Sequence, residues 1–333
     1  MSSITQFGNR LYTGERSINF IGRRVLWYTI SAIAIAVAIG VTALRGGFTF
    51  GIEFRGGSEF QITNSASTST QVAVDTVHST IGAATEAKVS VVGGSTVRVQ
   101  TDQLTADQSD ALRADLAKAY SVSIDEVTQS FIGATWGSDI TSQALRALLI
   151  FIALVSVVMS LYFRTWKMSL AAIVAVVHDL VITAAVYGAF GLEVTPAAVI
   201  GLLTILGYSL YDTVVVFDKI RENTAVAYDE SKRTFADSVN LAVNQTLVRS
   251  INTSVVAALP VASILFIGSM LLGAGTLRDI ALALFVGILS GAYSTIFIAA
   301  PLYAQLREKE SEHAKQGRPK REEIVRNASG AVR

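Results

Sequence analysis

Long apolar runs alternate with charged connectors along this chain, with little mixing inside the runs. Six of them, at 25–44, 144–163, 168–190, 194–216, 250–273 and 280–304, approach the ~20 residues a helix needs to cross a bilayer. The segment 45–143, between the first and second runs, has the pattern of a folded domain. From Phe48 to Ile62 it alternates and is β-prone, with breaks at Gly51 and Gly56-Gly57, which predicts a hairpin or a bulged strand pair. Residues 70–84 offer Val72, Val74, Val77 and Ile81 as apolar positions of a helix. Two strands, 88–92 and 96–100, are predicted as a tight hairpin around Gly93-Gly94-Ser95. Thr105 and Gln108 have capping-box spacing and open a helix to Ala119. A strand near 124–132 completes a β-β-α-β-β-α-β order, a small α+β sandwich with its helices on one sheet face. The expected fold class is therefore an α-helical polytopic membrane protein. It has six transmembrane helices and a small α+β extracytoplasmic domain between helices 1 and 2.

Composition supports the membrane reading: 51% of residues are hydrophobic and 16% charged, where a soluble domain carries about 25% charged residues. The net charge of +1 excludes nothing, but its distribution sets an orientation. Arg10, Arg16, Arg23 and Arg24 precede the first span, and Arg164 and Lys167 follow the second. Lys219, Arg221, Lys232, Arg233 and Arg249 lie in the 217–249 loop, and eight more basic residues follow position 305. The short connections on the other side hold none (191–193) and one, Arg278 (274–279). The positive-inside rule then puts both termini in the cytoplasm. The expected order is a cytoplasmic segment 1–24, helix 1 at 25–44 and the extracytoplasmic domain at 45–143. Helices 2–6 follow in 144–304, with a surface helix in loop 217–249, and a solvated, partly disordered tail at 305–333. The first run is full length and leads into Leu44-Arg45, which reads as a retained helix, not a cleaved signal peptide. Cysteine is absent, which rules out disulfides and thiol chemistry.

Asp212 lies inside the fourth run, and a carboxylate at a helix centre in lipid costs roughly 3 kcal/mol or more. It is either a structural contact, bonded by Tyr208, Ser209 or Tyr211, or a group that binds and releases an ion. Burial disfavours a charged carboxylate and a nearby guanidinium favours it. Alternating those environments would load and unload a proton. Arg249 opens the fifth run with Thr253 one turn deeper on the same face, and antiparallel runs four and five bring Arg249 toward Asp212. Arg249 also fits a simple interfacial anchor. His178 and Asp179 fall near the middle of the third run, either as a proton relay or as a helix-packing contact. The glycine-rich stretch 46–57 lacks the Gly-Lys-Ser/Thr ending of a phosphate loop. Small residues in runs five and six (Gly268, Ser269, Gly273, Gly287, Gly291) point to close helix packing. With three histidines, two of them in soluble segments, metal binding is not expected.

Four motifs in order carry a family resemblance: GIEFRGGSEF after the first run, HD in the third, GYSLYDTVVVFDKIREN through the fourth and QTLVRSINTS into the fifth. Together they resemble the SecF family, accessory subunits of the bacterial Sec translocase related to resistance-nodulation-division (RND) exporters, over residues 18 to 304. The resemblance implies partnership with SecD, association with the SecYEG channel and the SecA ATPase, and use of the proton motive force, or sodium in some relatives, to draw preproteins outward. It implies a bacterial plasma membrane location and no bound cofactor. By motif match Asp212 corresponds to the ion-binding aspartate, and Arg249 to its partner, with Thr253 nearby. Tyr211 stands where the family often has Asn, Lys219 where Arg is common, and Glu53 and Arg55 where Asp and Thr are frequent. The alternative is an RND-type exporter of small amphiphiles, although such chains have about twelve spans and two large outer domains. An intramembrane aspartyl protease is disfavoured because neither aspartate lies in a Gly-x-Gly-Asp setting.

Overall fold

The computed structural model describes residues 3–65, 67–92, 96–230, 234–268 and 275–316. A short helix α1 (Ser3–Thr13) leads to the first spanning helix, α2 (Arg24–Leu44), whose 21 residues at 1.5 Å each cross the ~30 Å apolar core. A folded head follows. It contains β1 (Thr49–Phe50), the one-turn α3 (Ile52–Arg55), β2 (Gly57–Ile62), α4 (Thr70–Thr80), β3 (Ala87–Val92), β4 (Thr96–Thr101), α5 (Ala106–Ala119) and β5 (Val127–Ile132). The remaining spans are α6 (Ala134–Phe163), α7 (Trp166–Phe190), α8 (Pro196–Glu230) and α9 (Phe235–Ser263). The two-residue β6 (Glu193–Val194) separates α7 from α8. The last span is α10 (Gly275–Ser294), a π turn (Thr295–Ala299) and α11 (Ala300–Gln316).

In the head, β3, β4, β2 and β5 form one antiparallel sheet in that order. Period-two alternation turns Phe60, Ile62, Val97, Val99 and Val127 onto α4 and α5, where Val77, Leu112 and Leu116 complete a dry core. Both sides of the Thr105–Gln108 capping box form, as the spacing predicts. The anticipated pairing within 48–62 does not form. Gly51 opens α3 instead, and β1 pairs in parallel with β6 of the membrane part, Thr49 opposite Glu193 and Phe50 opposite Val194. Two residues cannot sustain a strand alone, and β1 is held by β6, with the Gly51 amide donating to the Val194 carbonyl at 3.0 Å. The predicted Gly93-Gly94-Ser95 turn and the 317–333 tail lie outside the described residues.

Among the described residues six helices are long and apolar enough to span a membrane. The predicted surface helix within 217–249 is instead a continuation of both neighbours: α8 runs on to Glu230 and α9 begins at Phe235. The centre of the bundle is α7, α8 and the last span, whose apolar stretches are 44–50% buried against 11% for α2, α6 and α9. Small residues allow this packing. A methyl group at Gly287 of α10 would come 2.5 Å from Ile205 of α8, one at Gly201 2.9 Å from the Ile280 carbonyl, and one at Gly291 2.9 Å from Ser209 Cβ.

Gly287→Val is therefore expected to wedge α8 and α10 apart and lower stability in detergent by about 1–3 kcal/mol, the usual cost of overpacking. Gly40→Val on α2, where a methyl group meets nothing within 4 Å, is expected to leave the thermal midpoint unchanged. Thermal scans of the two purified variants check this.

Candidate functional site

Two buried carboxylates sit on adjacent faces of the central helices. α8 presents Ser209 and Thr213 toward α7 and α10, and Tyr208 and Asp212 one step round toward α9, as i, i+4 spacing dictates.

The first cluster centres on Asp179 of α7, 1% exposed. Its Oδ2 accepts from Ser209 (2.5 Å) and Ser294 (2.9 Å), and its Oδ1 accepts from Ser290 (2.7 Å). Three hydroxyls from two other helices thus replace the water that an isolated carboxylate would need. The chain of contacts continues outward to α2. Tyr293 donates its hydroxyl proton to the Trp27 carbonyl (3.0 Å), so Ser31 donates to Tyr293 (3.2 Å) and accepts from His178 Nε2 (3.2 Å). On its other side His178 Nδ1 lies 3.4 Å from Asp179 Oδ1, which ties the carboxylate into this chain of contacts. The π turn that starts at Thr295 places Thr295 Oγ1 2.9 Å from Thr213 Oγ1, just below this cluster. Such turns recur at functional positions in helices.

The second cluster centres on Asp212, 7% exposed. Its Oδ2 accepts a hydrogen bond from Ser250 of α9. The structure does not place Arg249 on Asp212. The guanidinium points past it, with Nη2 3.4 Å from the hydroxyl of Tyr211, the residue that departs from the common family pattern. Tyr211 is 58% exposed. Thr253 bonds back to the Arg249 carbonyl (3.0 Å) and its own carbonyl accepts from Tyr208 (2.8 Å), which ties α8 to α9 one turn deeper.

Sequence reasoning selected both aspartates, His178, Arg249 and Thr253, but not Ser250, Ser290, Ser294 or Thr295. Ser209 entered only as a candidate partner of Asp212, and it serves Asp179. The available signal was the recurrence of Ser and Thr inside otherwise apolar spans, which reads equally well as helix packing.

A six-span bundle with a folded head after its first span and two shielded carboxylates at its centre defines a polytopic membrane protein with an ionisable core. Residues 112–309 match the family described as "Protein export membrane protein SecD/SecF, C-terminal". The chain is similar to the protein translocase subunit SecF of Streptomyces coelicolor, 44% identical over 100% of this chain and 87% of that one. It is 43% identical to SecF of Mycobacterium tuberculosis over 91% of this chain and 70% of the relative. A crystal structure of SecDF from Thermus thermophilus, a translocon-associated membrane protein, superposes with a TM-score of 0.77 at 29% identity, covering 88% of this chain and 39% of that longer one. The chain belongs to the SecD/SecF family of protein-export membrane proteins. These relatives favour an accessory role in the protein translocation machinery, alongside SecD, over the amphiphile-exporter alternative.

Removing the Asp179 carboxylate with Asp179→Ala leaves the buried Ser209 and Ser290 hydroxyls without their acceptor and Ser294 with only the Gly291 carbonyl at 3.3 Å. A loss of about 3 kcal/mol or more is expected in denaturant titration of the solubilised protein. Ser294→Ala, which leaves Asp179 two hydroxyl donors, is expected to cost about 1 kcal/mol.

Proposed function

We propose that this chain is the SecF-type subunit which, with SecD, uses the proton motive force to promote preprotein movement through the SecYEG channel after SecA has delivered the polypeptide. The observation that carries this reading is Asp212, buried in a spanning helix and held by Ser250, with the Arg249 guanidinium within reach of the same surface but engaged by Tyr211. In this arrangement Asp212 is in its proton-loaded setting. Rotation of Arg249 from Tyr211 onto Asp212 would favour the anion and release the proton. His178 and Asp179 serve as a second proton-holding pair on the other face of α8. One charge crossing 100 mV supplies about 2.3 kcal/mol, enough to rearrange a polar domain contact. The coupling ion in this reading is the proton, sodium being the alternative, and no bound cofactor takes part.

The same reading places both termini in the cytoplasm and the head outside a bacterial plasma membrane. Basic residues gather at the end of the bundle opposite the head. There Arg24 of α2 pairs with Glu308 of α11 at 2.7 Å, and Lys167 of α7 donates to the Leu306 carbonyl at 2.9 Å. The exposed surface at Tyr211 is where helices of SecD would cover the Asp212 cluster.

In inverted membrane vesicles carrying this chain and its SecD, Asp212→Asn at equal membrane levels is expected to abolish the gradient-dependent part of preprotein translocation. The ATP-driven part should stay intact. Wild-type behaviour of that variant would remove Asp212 from the coupling path and leave Asp179 as the group to test.

A further inference from the structure

The head meets the bundle through β1 on β6, through α3 packed against the start of α6, and through one polar contact made by its sheet. Its sheet enters at Gly56 and Gly57, with φ of +80° and +139°, conformations that L side chains rarely adopt, and leaves through Gly133 just before α6. The sheet face away from α4 and α5 is polar, because the register that turns Phe60 and Val99 inward sets Gln61 opposite Arg98 and Glu59 opposite Gln100. That face looks onto β6. Arg98 Nη1 lies 3.0 Å from Glu193 Oε2, and its Nε lies 3.6 Å from Glu59 Oε1. Gln100 Nε2 donates to both Glu193 Oε1 (2.6 Å) and Glu59 Oε2 (2.9 Å). Glu193 is thus gripped by two side chains of the head while belonging to the membrane part.

Two residues beyond Glu193, the chain binds the central helices. Thr195 accepts from the Ala198 amide at the start of α8 (3.1 Å) and donates to Asp279 of α10 (3.0 Å). Tyr187 of α7 donates to the Asp279 carbonyl (3.1 Å). The helices joined at this point, α7, α8 and α10, carry Asp179, Ser209, Asp212, Ser290 and Ser294. A polar cavity of about 310 Å³ lies beside the contact, lined by Glu53, Glu59, Arg98, Glu193, Thr195 and Asp279 among others. Burial pushes the Glu53 carboxyl above its ordinary range; its own backbone amide pulls it down, while neighbouring Glu59 and Glu193 push it further up. One guanidinium among these carboxylates, beside a wettable cavity, makes a contact that forms and breaks at modest cost, since interfacial ion pairs largely trade solvation for attraction.

We propose that Arg98 and Gln100 form a latch on Glu193 that holds the head over the ends of α8 and α10, and that this latch opens when the bundle rearranges during ion-coupled translocation. Arg98 and Glu193 are then positioning residues, which act on the ion site through α8 and α10. The second half of the proposal rests on the coupling role of Asp212 given above.

The chain has no cysteine, so Gln61→Cys with Ala197→Cys, which line the cavity from the head and from α8 outside the latch itself, supplies this chain's only two thiols. Joining them with a short bifunctional methanethiosulfonate in SecD-containing vesicles is expected to remove the gradient-dependent part of translocation, and reductant to restore it. Full gradient-dependent translocation in the cross-linked protein would overturn the opening step. Spin labels on Lys118→Cys of α5 and Leu277→Cys of α10 report docking directly. Arg98→Glu is expected to lengthen and broaden their distance distribution, and adding Glu193→Arg to bring it back. An unchanged distribution in Arg98→Glu would overturn the latch itself. Asp212→Asn, run in the same vesicles, separates the two readings. If it loses gradient dependence while the cross-link is harmless, the latch proposal alone falls. If it keeps gradient dependence, the coupling role falls first.

Discussion

A carboxylate within the apolar slab of a membrane is tolerated only when other groups take over the role of water, and the centre of this bundle is organised around that demand. Asp179 meets it with three hydroxyls, all supplied by α8 and α10. Those short side chains reach only if the helices approach closely, and Gly201, Gly287 and Gly291 provide the room. The hydroxyl shell and the glycine contacts are one device, because neither functions without the other. The π turn after Ser294 extends it by bringing Thr295 against Thr213.

The two aspartates answer the demand differently, and the contrast suggests a division of labour. Asp179 is enclosed, with donors on both oxygens and an imidazole beside it, in a chain of contacts that reaches Trp27 on α2. Among the described residues Asp212 has one serine as its side-chain hydrogen-bond partner, and it lies next to the exposed Tyr211. A group with a single donor and a guanidinium parked nearby is easier to reorganise than one with its acceptors filled. The same α8 connects both aspartates to Thr195 and Glu193 at its head-side end, so a small rotation or slide of this helix is felt by both carboxylate clusters and the head together.

Much of this plan was legible in the residues. The six spans follow from apolar run length, which the bilayer itself enforces, and the head's helices and strands from short-range alternation and a capping box at Thr105. Errors arose where a segment's partner is distant in sequence. Residues 48–62 have the alternation of a hairpin, but β1 pairs with β6 some 140 residues on, and the glycines there serve turns and entry to the sheet. The loop between α8 and α9 looked long because its polar residues end the membrane crossing without ending the helix.

The sequence by itself determined the crossings, the family and the two aspartates, since burial of charge in lipid is costly enough to mark a residue without knowledge of its neighbours. Only the tertiary structure decided which groups stabilise those charges. Ser209 turns to Asp179 although it lies three residues from Asp212, Ser250 reaches Asp212, and Arg249 bonds Tyr211. A hydroxyl or a guanidinium has several partners within a turn of helix, and the choice among them is made by the rotation and spacing of packed helices, which no local pattern encodes.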